Sequence, residues 1–400
     1  NRHGKEYRPY FMAKRWVQAG HQVTIVAASF SHLRGLNPDM QGKSTMEEMI
    51  DGVRYFWIRC PEYKGNGMGR IRNMLTFLAG LYRYQKQITA QGKPDAVIAS
   101  STYPLDIYPA HQIAKKNGAK LIYEVHDLWP LSPMELGGMS AKHPYIMLMQ
   151  AAENYCYKHS DAVVSVLPCA KEHMVEHGMA PEKFVCIPNG IVKEDWEAPI
   201  DPEKAPYREL LQEFHNQGYF LIGYTGAHGI ANALDSFIEA GGMLKDKKIK
   251  LILVGQGPER DRLMQKVVDL GLRNTVELLS AVKRSDVPAL LSEMDALYVG
   301  LQRQPLFRFG VSPNKLMDYM MAAKPVIFAI EAGNDMVKDA GCGVSIPPED
   351  SKAIAEAAIE LASTPPEKLA EMGKRGQKYI LENHEYQILS DRFLEVLSRE

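Results

Sequence analysis

Tyr219-Phe220-Leu221-Ile222-Gly223-Tyr224-Thr225-Gly226-Ala227-His228-Gly229-Ile230 is the stretch whose reading decides the fold. An apolar run of strand length ends in glycines, and helical periodicity follows. The same strand-then-helix unit recurs downstream, with strands predicted at 250–254, 275–278, 296–300, 325–329 and 343–346. Upstream, strands are predicted at 22–27, 53–58, 96–100, 120–125, 162–166 and 184–188. Helical periods fill the gaps at 68–90, 106–117, 144–158 and 169–177, and three more close the chain at 351–362, 366–382 and 388–397. Such alternation specifies an α/β fold with doubly wound parallel sheets. Residues 30–51 are polar, contain Pro and Gly, and read as a loop.

A chain of 400 residues exceeds what one core usually organises. Between 187 and 206 the pattern lapses into a turn, Ile187-Pro188-Asn189-Gly190, and then a Pro-, Asp- and Glu-rich linker. Two Rossmann-like domains are therefore expected, 1–195 and 196–380, with a terminal helix at 381–400 free to cross back to the first. The opening residues, Asn1-Arg2-His3-Gly4, lead directly into a helical pattern. Since α/β folds usually open with a strand, a native first strand and its glycine-bearing loop are expected to precede residue 1.

Hydrophobic residues make up 46% and charged residues 24%, an ordinary soluble composition, and the formal net charge is −1. Nothing global points to nucleic acid as a partner. The five cysteines are scattered, with no zinc-ligand spacing, and suit a reducing, cytoplasmic setting. No apolar run is long enough to span a bilayer.

Open parallel sheets bind ligands beyond the carboxyl ends of their strands. The loop Gly226–Gly229 stands there, and its glycines either let backbone amides approach a phosphate or simply make a tight turn. His228 either bonds a phosphate or sugar or is merely exposed. Val254-Gly255-Gln256-Gly257-Pro258 ends the next strand, and lacks the third glycine of a dinucleotide fingerprint. Gly255 and Gly257 mark either a nucleotide edge or a turn. In Gly310-Val311-Ser312-Pro313-Asn314-Lys315-Leu316-Met317-Asp318, Ser312 has N-cap chemistry and Pro313 suits the first helical position. Lys315 in the first turn opposes the helix dipole, a cost that a bound phosphate would offset. Asp318, three residues on, either meets ribose hydroxyls or forms a surface ion pair with Lys315. His126 and Asp127 in Glu124-Val125-His126-Asp127-Leu128-Trp129-Pro130 end a strand of the first half and form a candidate sugar-handling pair, or His126 caps the strand. Ser100-Ser101-Thr102-Tyr103-Pro104 is a weaker acceptor-site candidate. Residues 64–75, with glycines, Arg70, Arg72 and apolar side chains, either touch a membrane surface or lead into a core helix. The helical pattern over 7–19 carries the same ambiguity.

Several of these motifs, in this order, resemble the family 4 retaining glycosyltransferases of the GT-B fold. Gly20-His21-Gln22-Val23-Thr24, Ile187-Pro188-Asn189-Gly190-Ile191, Val254-Gly255-Gln256-Gly257-Pro258 and the helix through Met321-Ala322-Ala323-Lys324-Pro325-Val326 carry the likeness, which spans essentially the whole chain. Ser312-Pro313-Asn314-Lys315 and Asp127-Leu128-Trp129-Pro130 are most similar to bacterial surface-polysaccharide enzymes of the N-acetyl-fucosaminyltransferase type. The resemblance implies two Rossmann-like domains facing a central cleft, a donor-sugar contact near His126, and a donor site including Gly226, His228, Gly229, Gly255, Gly257, Gly310, Val311, Ser312, Asn314, Lys315 and Asp318. It also implies a nucleotide-sugar donor (UDP by family precedent), a glycan or polyprenyl-linked acceptor, no metal or other cofactor, and an enzyme of the cytoplasm at the inner face of the plasma membrane. Two positions depart. The family's paired acids stand eight apart, and here Asp318 fits the second while Gly310 fills the first. The basic pair that binds the diphosphate is replaced by Ala227 and Asn232. Charge neutralisation then falls to Lys315, the Gly226–Gly229 amides, Arg303 or Arg308. Two rivals share the architecture: a non-hydrolysing 2-epimerase, which needs several site carboxylates, and a non-catalytic nucleotide-sugar-binding protein.

Overall fold

The computed structural model describes residues 7–32, 34–65, 67–197 and 205–398. It contains two compact units, Asn1–Asn189 with Tyr386–Glu400, and Gly190–Glu385. The chain thus divides inside Pro188-Asn189-Gly190 and again at Glu385/Tyr386, rather than at 195 and 380. Part of the predicted linker forms a helical turn, Glu194–Glu197, and 198–204 lie outside the described residues, as do 1–6.

In the first unit the strands are β1 (Thr24–Ala28), β2 (Thr45–Ile50), β3 (Val53–Ile58), β4 (Ala96–Ala99), β5 (Lys120–Val125), β6 (Ala162–Ser165) and β7 (Phe184–Cys186). They form two ladders, β1-β3-β2 and β4-β5-β6-β7. All pairs are parallel except β2 with β3. The strand β2 corrects the reading of 30–51 as loop. Asp51 and Gly52 both have positive φ, 49° and 82°, the backbone of a two-residue hairpin turn. That Asp-Gly signal outweighs the polar composition of Thr45–Ile50, an edge strand with one side wet. The predicted helix over 68–90 is also interrupted: Met68–Arg83 stops at Tyr84, and Gln85–Ile88 follows as a separate turn. There Gln85 turns inward to bond Gln112 and Lys116.

The terminal helix Tyr386–Ser398 belongs to this unit. Trp16 on the helix Tyr7–Gln18 donates to Ser390 O and meets the Phe393 ring edge-on at 5.1 Å, while Arg392 donates to Cys186 O.

The second unit holds one parallel sheet: β8 (Phe220–Thr225), β9 (Ile249–Val254), β10 (Val276–Leu279), β11 (Ala296–Gly300), β12 (Val326–Ala329) and β13 (Gly343–Ser345), in the order β10-β9-β8-β11-β12-β13. β8, β9 and β11 are buried along their whole lengths or nearly so, which is why they read as continuous apolar runs. The order reverses between β8 and β11, and ligands bind at such a switch point.

An Asp-Ala pair opens several strands, and the structure shows its use. The side chains of Asp161 and Asp295 accept the N–H of Leu121 and Leu221 on the neighbouring strand, each at 2.7 Å. The five cysteines are free. Among the described residues no helix is long and apolar enough to cross a membrane. Asp295→Ala is expected to lower unfolding stability by roughly 1–3 kcal/mol, because the Leu221 N–H loses its partner at the start of a buried strand. Urea unfolding of the full chain, compared with Asp161→Ala in the other unit, checks it.

Candidate functional site

At the switch point, β8 ends in Tyr224-Thr225-Gly226 and the chain after β11 returns through the helix Asn314–Met321. A buried phenol joins them. Tyr319 Oη accepts from Thr225 N at 2.7 Å and donates to Thr225 O at 3.1 Å, meeting both backbone groups at the end of the strand. One turn before Tyr319 on that helix, Lys315 is carried to the loop that follows β8.

Lys315 Nζ donates to Tyr224 Oη at 2.8 Å and to Asn232 Oδ1 at 2.5 Å, and lies 4.4 Å from the centroid of the Tyr224 ring. Tyr224 Oη in turn donates to Ala227 O, which also receives Asn232 Nδ2. Both contacts of the ammonium are neutral, and no carboxylate pairs with it among the described residues. Burial pushes its pKa down to about 7. Asn232 stands where the resemblance places a diphosphate-binding cation, and here it holds one instead. Gly226 has φ +146°, a backbone that favours glycine, and a Cβ there would press on Lys315 Nζ and Tyr224 Oη, each at 3.3 Å.

His228 is fully buried, so it is not the exposed residue that the sequence allowed. Neither ring nitrogen has a hydrogen-bond partner. Burial, then the charges of Arg260 and Lys315, lower its pKa to about 4 and keep the ring neutral. Arg260, which sequence reasoning missed, opens the helix Arg260–Asp269. Its buried Nε has no hydrogen-bond partner, and its Nη1 donates to Met264 Sδ at 2.9 Å. The signal was present as a basic residue after Gly-x-Gly-Pro-Glu, but it was masked by the glycines. Lysine, histidine and arginine thus surround the turn, while the adjacent Glu259 is paired with Arg262 instead.

The glycines of the two loops have different reasons. Gly255 and Gly257 are packed against the first loop: a Cβ on Gly255 would meet Gly226 O at 1.9 Å, and one on Gly257 would meet His228 O at 2.3 Å. His228 N donates to Gln256 O and Glu259 N to His228 O, stitching the loops together. Loop-on-loop contact therefore explains these two glycines without a ligand. Gly229 has only Asn232 Nδ2 within reach of a Cβ, at 3.9 Å.

The 310–318 segment differs from its reading in three respects. The helix begins at Asn314 with Pro313 at the cap position, one residue later than the Ser312 cap predicted. Val311 is occupied, its N–H bonded to Asn334 Oδ1 and its C=O to Asn334 Nδ2, so its peptide groups are not offered to a ligand. Asp318 and Lys315 take separate partners: Asp318 is buried and held by both terminal nitrogens of Arg284, so no i,i+3 pair forms. Gly310 has φ 96° and ψ 165°, a backbone essentially reserved for glycine, and an acid could not stand there unstrained. Arg303 is paired with Glu331 and Arg308 bonds Pro305 O, which leaves Arg260 as the better-placed second cation.

In the first unit, His126 follows β5 at the end of a buried polar chain. Arg8 pairs with Glu124 at 2.9 Å and donates to Ile187 O and Pro188 O. Ser100 Oγ donates to Glu124, and His126 Nε2 lies 3.0 Å from the same Oγ. With the serine proton spent on Glu124, Nε2 of His126 is the donor to Ser100 Oγ. Burial alone would raise the pKa of Glu124, but Arg8, His126 and Ser100 together hold it well below the usual carboxylate range. Asp127 is exposed on the same turn. Asp106, buried at the head of the helix Ile107–Asn117, accepts from Ser101 N with one oxygen and has no partner for the other; burial lifts its pKa to about 6.

Residues 7–190 match the glycosyl transferase 4-like domain, and residues 219–364 match the glycosyl transferases group 1 domain. The chain is 23% identical over 313 residues to WcaI of Escherichia coli K12, named as a colanic acid biosynthesis glycosyl transferase, covering 76% of this chain and 75% of that one. Its fold is similar to that of the sucrose-phosphate synthase of Thermosynechococcus elongatus (TM-score 0.72, 15% identity, 98% and 92% of the two chains). It is also similar to that of Anabaena HepE in complex with UDP and glucose (TM-score 0.63, 17% identity, 88% and 87%).

Tyr319→Phe removes the group that occupies both the N–H and the C=O of Thr225. The expected cost is roughly 1–3 kcal/mol, read as a lower urea midpoint with an unchanged slope.

Proposed function

Because the chain belongs to the two-domain glycosyltransferases that join a glycosyl transferase 4-like domain to a group 1 domain, we propose that it moves a sugar from a UDP-sugar to a glycan or polyprenyl-linked acceptor of a surface polysaccharide. The observation that carries this is the basic turn after β8: Lys315, His228 and Arg260, none of them paired with a carboxylate among the described residues, the neighbouring Glu259 being taken by Arg262. A desolvated cation without an anion is costly unless a ligand supplies the charge. A diphosphate does so, and the N-terminus of the helix Asn314–Met321 adds its free amides and dipole.

In the reaction the bond between sugar C1 and the diphosphate oxygen breaks while an acceptor hydroxyl attacks C1. Negative charge grows on the departing diphosphate. Lys315 and Arg260 neutralise it, and His228 meets it as a neutral donor. Cationic side chains thereby do what a metal would do, so the transfer is proposed to need none. The departing phosphate oxygen takes the acceptor proton, and configuration is retained. Asp318 meets the ribose while held by Arg284. On the first unit, His126 and Asp127 handle the sugar. An N-acetylated deoxyhexose as the transferred sugar, and cytoplasmic action, rest on the sequence resemblance and on the free cysteines.

Contact with a membrane surface is supported by the helix Met68–Arg83. Met68 is 78% exposed and Leu75 56%; Arg70, Arg72 and Arg83 lie along it, and it carries no acid. Apolar side chains with arginines suit an anionic lipid surface. The epimerase reading requires carboxylates around the donor sugar, and the side chains around Lys315 are instead Tyr224, Asn232 and His228.

Two measurements test this. Lysine with a pKa near 7 is half neutral at pH 7 when the site is empty, whereas bound diphosphate favours its protonated form. Binding of UDP should therefore take up a proton above pH 7, weakening toward tenfold per pH unit between about 7.5 and 9. Calorimetry in two buffers of different ionisation enthalpy reads the uptake; Lys315→Met should bind at least about tenfold more weakly, take up no proton, and fail to transfer. Wild-type affinity in that variant refutes the assignment. Separately, Met68→Asp with Leu75→Asp should abolish co-sedimentation with anionic phosphatidylglycerol vesicles while leaving UDP affinity unchanged.

A further inference from the structure

A second cluster of ionisable side chains lies in the first unit, apart from every group used above. Glu153, on the helix Pro144–His159, is 1% exposed. Its oxygens accept from Tyr157 Oη at 2.9 Å and Gln150 Nε2 at 2.7 Å, both neutral donors. Across from it the short helix Lys171–Glu176 and the residue after it bring two imidazoles one turn apart. His173 Nε2 stands 3.8 Å from Glu153 Oε1, and the His177 ring lies against that of His173 with centroids 4.2 Å apart. One ligating atom from each of the three residues falls within a span of 4.8 Å.

We propose that Glu153, His173 and His177 form a binding site for a zinc-class divalent cation that fastens the helix Lys171–Glu176 to the helix Pro144–His159. Three features favour an ion over a plain carboxylate–imidazole contact. First, 3.8 Å is too long for a hydrogen bond. It is close to the roughly 3.3–3.5 Å that two ligands keep when each lies 2.0–2.2 Å from a tetrahedral ion. Second, the outer contacts that orient ligands are already present. His177 Nδ1 donates to His173 O at 2.8 Å, which leaves Nε2 with its lone pair free for a metal, and Tyr157 and Gln150 fix the carboxylate. Third, the charges are complementary: a buried carboxylate whose hydrogen-bond donors are neutral offsets half the charge of a divalent ion held with two neutral imidazoles. Two nitrogens and one oxygen suit zinc and its neighbours rather than magnesium or calcium, which require oxygen sets. Both histidines are partly exposed, so an ion can enter and water can fill a fourth position. The role is structural, since none of the three residues belongs to the donor or sugar-handling groups. Sequence spacing gave no warning, because the carboxylate lies twenty residues before the histidine pair and no cysteine takes part.

The test uses the full chain, stripped with a chelator and equilibrated with zinc chloride. The expected result is one zinc retained per chain, and with cobalt(II) the intense visible absorption of a four-coordinate ion. His177→Ala, at a partly exposed position, should weaken zinc at least about tenfold and erase the cobalt spectrum; Glu153→Gln should do the same where it folds. His159→Ala, in the separate His111–Tyr155–His159 cluster, should change neither. Magnesium should not compete. Zinc retention no greater in the wild type than in His177→Ala, or a cobalt spectrum that survives that substitution, would overturn the proposal.

Discussion

Placing the Lys315 ammonium against the Tyr224 ring, the Tyr224 hydroxyl and the Asn232 carbonyl strips water from a charge and gives it no anion in return. Most buried cations are paired, because desolvation otherwise neutralises them. Here the neutral partners fix the position of the ammonium while leaving its charge uncompensated, which is why its pKa falls to about 7. Everything else around the site serves that placement. Tyr319 joins the helix carrying Lys315 to the end of β8, and Ala227 O gathers both groups that hold the lysine.

The glycine-rich turns are better understood from this arrangement than from any motif. Gly226 makes room for the lysine, whereas Gly255 and Gly257 let two loops pack backbone to backbone. Their contact buries His228 and brings it under the influence of Arg260 and Lys315. The loops therefore shape a basic pocket wall first, and exposed amides are secondary. Gly310 follows similar logic. Its backbone, φ 96° and ψ 165°, would strain the acid that the family resemblance places there, so the glycine goes with this loop's geometry.

Much of this was legible in the sequence, for a physical reason. Strands buried on both faces read as unbroken apolar runs, so β8, β9 and β11 were found within a residue; strand-end positions pointed to Gly226 and His228, and a helix start at Ser312-Pro313 pointed to Lys315. What escaped depended on partners distant in sequence. Asp318 is set by Arg284, thirty-four positions away, and Val311 by Asn334. Thr45–Ile50 was hidden because an edge strand need not look apolar, and Asp51-Gly52 was the clue that should have outweighed composition. Arg260 and the Glu153–His173–His177 cluster carry no local pattern, since only the fold brings them to their neighbours.

The two units handle buried charge in opposite ways, and the contrast bears on what each can do. In the first, Arg8, Glu124, Ser100 and His126 form a chain in which each member has its counterpart, so the network orients His126 without needing a ligand. In the second, Lys315, Arg260 and the two nitrogens of His228 are left short of an acceptor or an anion. A completed network can position a group but offers little binding energy, because a ligand would have to displace bonds already made. An incomplete one is destabilised until something anionic arrives, and its deficit becomes affinity. On these grounds the basic turn of the second unit, rather than the completed network of the first, is left with uncompensated charge to offer an anion.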